Sequence, residues 1–208
     1  MPLHDLTLQE CLNLPISFLL QENSIEDLQQ KRDYNSFALS HLAVANNNLS
    51  KVNELIANKF DFSICTSNGY ISDEILKISN LNLDNQYYSI PFNKNGYCAV
   101  HLCILLHSLH YNLVINEYQN SKHDQFKEQQ MQILKLFLHD EPFIFELQDN
   151  NGYTVLDYCF IFENMDLIEL AFNADCCFNS LNNIKTSTAI NIFQSLKIKY
   201  SKMNKVIK

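Results

Sequence analysis

The sequence predicts an all-α fold assembled as a repeat solenoid, and three observations carry that prediction. A short string recurs: NGYCAVHLC at 95–103 returns as NGYTVLDYC at 151–159 and, more loosely, as NGYISDEIL at 68–76. Self-similarity at intervals of a few tens of residues is the mark of repeat architectures. Apolar residues near these strings fall at helical spacing. Leu39, Leu42 and Ala43, then Leu49, Val52, Leu55 and Ile56, place one stripe on each of two short helices. Finally, the three glycines of the chain, at 69, 96 and 152, each follow an asparagine, and Asn-Gly favours a tight turn. A helix pair of this size cannot bury its apolar face alone, so neighbouring pairs must stack.

The elements follow in chain order. Residues 1–32 are expected to form an N-terminal helical cap, with an apolar helix interrupted at Pro15 and a fresh start signal at Ser24, three residues before Asp27. A first unit without glycine spans 33–65. A shortened unit is expected at 66–92, because Gly69 and Gly96 are only 27 residues apart. The next, 93–148, is long, since 56 residues separate Gly96 from Gly152. The excess is placed at about 107–129. The stripe Leu102, Leu105, Leu106, Leu109, Leu113 and its return through Phe126, Gln130, Ile133 and Leu134 predict an extended helical hairpin turning near Asn120 to Asp124. A last unit covers 149–181. Residues 182–208 are expected to form a capping helix with Ala189, Phe193, Leu196, Tyr200, Met203 and Ile207 on one stripe, surrounded by lysines.

These strings resemble ankyrin repeats, a family with a period of about 33 residues and a T-P-L-H-x-A signature followed by two antiparallel helices. His41, Leu42 and Ala43 occupy the H-L-A positions; Val100, His101, Leu102 and Cys103 occupy L-H-L-A; Thr154, Val155, Leu156 and Asp157 occupy T-P-L-H, with aspartate in place of histidine. Thr188 to Ile192 echoes the pattern once more, so the likeness runs from about 33 to 196. It implies a non-catalytic protein–protein interaction module that holds a protein partner by finger turns and by residues late in each inner helix. Carried over position by position, the partner-binding residues are Tyr70, Tyr97 and Tyr153 after the finger glycines, with Leu105, Leu106, Ile161 and Phe162 on the inner helices. An exposed apolar and aromatic patch of that kind marks an interaction site. The likeness also gives His101 the task of tying a turn through backbone hydrogen bonds, and puts Cys103 and Cys159 at small core positions. An alternative rests on Leu14-Pro15, which resembles the start of an F-box and implies a ubiquitin-ligase adaptor, although Pro15 and Leu28 lie closer together than in that family.

Composition narrows the functional classes. Lys plus Arg is 15 against 23 Asp plus Glu, a net charge of −8, which argues against nucleic acid as a partner. Six lysines and no acid follow residue 184; a basic helix there suits a helix C-terminus, with contact to an anionic membrane as the lesser reading. No apolar run reaches the roughly 20 residues of a membrane span, and an early Asp5 and Glu10 without a basic stretch argue against a secretory leader. Seven cysteines without a CxxC framework are read as reduced thiols of a cytoplasmic protein. His101, Cys103, His107 and His110 share one segment, but their pattern is not a metal motif, and no phosphate loop or HExxH is present. Neither metal, cofactor nor catalytic residues are therefore expected. The Asn-, Lys- and Ile-rich, Arg-poor composition, joined to such repeats, resembles effectors that intracellular bacteria deliver into host cytosol.

Overall fold

The computed structural model describes residues 2–33, 36–66, 96–115, 121–140, 144–149 and 152–173, the side chains of 111–115, 121–123 and 172 excepted. The described residues are mainly helical and contain no strand, only two isolated antiparallel bridges, Cys65 with Cys98 and Gln148 with Thr154. The described part of the chain is thus all-α. No helix among the described residues is long and apolar enough to cross a membrane.

Three short helices open the chain: α1 (Leu8–Asn13), α2 (Ile16–Leu19) and α3 (Ile25–Gln30). Helices this short are marginal alone, so caps and burial hold them. Thr7 and Glu10 form a reciprocal capping box at α1, and Ser24 with Asp27 another at α3. Pro15 separates α1 from α2, because proline disfavours helical backbone at the preceding residue and supplies no N–H. Leu8, Cys11, Leu12, Ile16, Leu19 and Leu28 are buried. The break is anchored as well: the ammonium of Lys51 donates to the Leu14 carbonyl, the carboxylate of Glu54 accepts from the Ile16 N–H, and the two side chains pair at 2.7 Å.

Three helix pairs follow: α4 (Leu39–Ala45) with α5 (Leu49–Ala57), α6 (Ala99–Ile115) with α7 (Ser121–Asp140), and α8 (Val155–Ile161) with α9 (Met165–Asn173). The first and last pairs turn in the same way. Asn47 and Glu163 take positive φ, 55° and 52°. The next N–H reaches back, Asn48 to the Ala43 carbonyl at 2.9 Å and Asn164 to that of Cys159 at 3.1 Å. Both asparagine side chains then cap the second helix. The middle pair is lengthened, as the sequence predicts. Cys103 meets Gln130 and His110 stacks on Phe126, so α6 and α7 run antiparallel. Helix α7 already begins at Ser121, within the stretch assigned to the turn.

Each pair is entered through a finger built to one plan. The N–H of an aromatic residue donates to a side-chain oxygen: Phe37 to Asp33 Oδ1 at 2.8 Å, Tyr97 to Thr66 Oγ1 at 3.1 Å, Tyr153 to Asp149 Oδ1 at 2.9 Å. The carbonyl of that aromatic accepts in return from the N–H of Asp33, Thr66 or Asp149. Gly152 precedes Tyr153 with φ +79°, and Ser36 precedes Phe37 with φ 66°. A Cβ at Gly152 would meet nothing nearer than Gln148 Oε1 at 4.0 Å, so the left-handed backbone alone selects glycine. Gly152→Val is expected to cost about 1–2 kcal/mol, measured as a lower urea midpoint, with Gly152→Asn costing less because asparagine tolerates that region.

The short unit at 66–92 lies, apart from Thr66, outside the described residues. The units on either side of it in sequence touch directly, α4 on α6 and α5 on α7, and Thr66 pairs with Tyr97 across one finger. The first unit is therefore in direct contact with the 93–148 unit. The capping helix at 182–208, the end of the 149–181 unit and Tyr70 also lie outside the described residues.

Candidate functional site

Two buried histidines join the units. His41 Nδ1 accepts from the Ala38 N–H at 3.2 Å, and its Nε2 lies 2.9 Å from the Tyr97 carbonyl. His101 repeats the arrangement one unit on, with Nδ1 2.9 Å from the Cys98 thiol and Nε2 3.3 Å from the Tyr153 carbonyl. An amide N–H only donates and a carbonyl only accepts. Nδ1 of His41 must then be unprotonated and Nε2 must carry the hydrogen. The same logic makes Cys98 the donor to His101. Burial pushes both imidazoles down to about 4 against the pull of the carbonyls they serve. In the last described unit Asp157 replaces histidine and completes a capping box with Thr154.

The residues proposed for partner contact separate into two groups. Tyr97 is buried, its ring 6.2 Å from those of both Phe37 and His41. Leu105 and Leu106 are buried as well, at 1 % and 0 % exposure. The expectation of a wet surface at these three positions is corrected. Each side chain from Ala99 to His110 is buried, because α6 packs against α4, α7 and α8 at once, and a helix apolar all round belongs in a core. Tyr153, Ile161 and Phe162 are half-buried and sit against the edge of the core.

The histidine- and cysteine-rich run of α6 is engaged in packing. Cys103 donates to Gln130 Oε1 at 2.7 Å, and the Gln130 amide donates to the Val44 carbonyl at 2.8 Å and to Asn47 at 3.0 Å. That network locks the hairpin onto the first unit. Asn164 bridges His107 Nδ1 and Ser108 Oγ at 2.9 and 3.0 Å, and His110 stacks on Phe126 with ring centroids 4.1 Å apart. Burial lowers His107 to about 3, and raises Cys103 well above the usual thiol range. A groove over His107 carries Lys127, Glu128, Lys135 and Asp166, a mixture of signs that selects no ligand charge.

Of the finger oxygens Asp33, Thr66 and Asp149, two have a signal in the sequence. Asp33-Tyr34-Asn35-Ser36-Phe37 and Asp149-Asn150-Asn151-Gly152-Tyr153 share the pattern D-x-N-x-aromatic. Gln130 and Asn164 carry no such signal, since their partners come from other units. No family model, no curated protein and no solved structure matches this chain.

Proposed function

We propose that this chain is an ankyrin-type repeat protein that binds a protein partner without catalysis. The observation that carries the reading is the repeated stitch, His41 to the Tyr97 carbonyl and His101 to the Tyr153 carbonyl, each joining one unit to the next finger. It is the role that the resemblance assigns to histidine at this position. The histidines of α6 serve packing, and the fully buried Cys103 thiol, held high by burial, makes a poor nucleophile. Contact falls to Tyr153 at the finger and to Ile161 and Phe162 at the far end of α8, about 10 Å along that helix. Aromatic and branched side chains of this kind make good interface anchors. The adaptor alternative gains nothing from the geometry, since Lys51 and Glu54 hold the backbone around Pro15 against the body.

The test uses the intact chain as bait in a cell lysate, beside Tyr153→Ala, Phe162→Ala and the double variant. The double variant is expected to lose the captured protein while keeping its helical circular dichroism, at a stability cost of about 1–2 kcal/mol for two half-buried rings. Undiminished capture by a folded double variant would remove these residues from the interface.

A further inference from the structure

Cys65 and Cys98 face each other across the base of the middle finger as an isolated antiparallel bridge. The Thr66 N–H donates to the Tyr97 carbonyl at 3.1 Å, so the flanking bond belongs to the residues beside the cysteines. That makes Cys65 and Cys98 a non-hydrogen-bonded pair. In such a pair both side chains leave the same face, with Cα atoms about 4.5 Å apart, inside the span of about 4.4–6.8 Å that a disulfide bridges. Cys65 is half-buried, while the other described thiols, Cys11, Cys98, Cys103 and Cys159, are buried. Cys98 stands at the start of α6, in the place of the capping Thr154, and its sulfur lies 2.9 Å from His101 Nδ1. Burial pushes the Cys98 thiol up to about 12, only partly offset by the backbone N–H groups of Val100 and His101, so exchange starts at the half-buried Cys65.

We infer that Cys65 and Cys98 form a reversible disulfide that latches the middle finger. A small-molecule disulfide, with glutathione disulfide as the probe, accepts the two electrons. The Cys65 sulfur attacks one glutathione sulfur and expels the other glutathione as its thiol, leaving a mixed disulfide at Cys65. The Cys98 sulfur then attacks the Cys65 sulfur, and its proton goes to the departing glutathione, which leaves as the thiol. Two thiols of the chain have become one disulfide, and one glutathione disulfide has become two thiols. The new bond closes a ring from 65 to 98 and fixes the finger whose Tyr97 carbonyl receives His41. Oxidation therefore sets how firmly the first unit is tied to the second.

The experiment equilibrates the full chain in graded mixtures of oxidised and reduced glutathione, traps the thiols by alkylation and maps the peptides without reduction. A peptide pair linked through Cys65 and Cys98 is expected, lost in Cys65→Ser and in Cys98→Thr, the latter retaining a capping side chain at that position. The oxidised wild type is expected to melt several degrees higher than the reduced protein, and neither variant to show that rise. Linkage of either cysteine to a different thiol, a mixed disulfide that persists at Cys65, or a linked protein that melts no higher overturns the proposal.

Discussion

Between pH 7.5 and 5 the urea midpoint is expected to fall steeply, with the protein close to unfolding at the acid end. Three buried imidazoles set the effect: His41 and His101, lowered to about 4, and His107, lowered to about 3. In the unfolded chain each takes up a proton near 6.5. Each folded-state value is depressed, so the stability these groups contribute is complete above about pH 6.5. It is lost as the pH falls toward 4, because the unfolded chain binds protons that the native one refuses. Each histidine removes about 1.4 kcal/mol per pH unit across that window. Together they remove about 6 kcal/mol by pH 5, on the scale of a whole domain's stability of roughly 5–15 kcal/mol. The structural cause is plain at His41: a proton on Nδ1 would turn an acceptor into a donor pointed at the Ala38 N–H. Measuring proton uptake on unfolding checks the account, and His41→Gln should have a shallower pH dependence as well as a lower midpoint. A midpoint flat from 7.5 to 5 would contradict it.

What the sequence revealed and what it concealed divide along one physical line. Features that depend on neighbours in the chain were legible. The capping signal Ser24 and Asp27 makes its box, and Pro15 breaks the first helices where expected. The stripes through Leu102 and Ile133 become the two long helices of the hairpin. Features that depend on what stacks on what were not. Asn68-Gly69-Tyr70 and Asn95-Gly96-Tyr97 look equivalent as strings. Only the contact of Thr66 with Tyr97 shows which of them completes the middle finger, and that choice sets the first unit directly on the hairpin. In the first unit Ser36 holds the left-handed position that glycine holds at 152, so its finger lacks the Asn-Gly signal. Burial of the inner-helix positions depended on the same long-range facts, since α6 is covered by α4 and α8 of other units as well as by its hairpin partner α7.

Leu105→Ala and Leu106→Ala are expected each to cost about 2–5 kcal/mol, since truncating a fully buried leucine loses transfer energy and leaves a cavity. For a chain of this length that lowers Tm by roughly 5–15 °C. The resemblance puts these positions on a binding face, where the same substitutions would weaken capture and leave Tm alone. The structure assigns the opposite. Both leucines are essentially unexposed, and so are Ile104 and Leu109 around them. A useful control is Phe18, a large apolar side chain with 42 % exposure, for which Phe18→Ala should move Tm by far less than either leucine. Thermal melts of the three variants decide the matter without a partner in hand. Leucine variants that melt with wild type would return α6 to the surface; variants that melt early fix it as the core element on which the first and last described units pack.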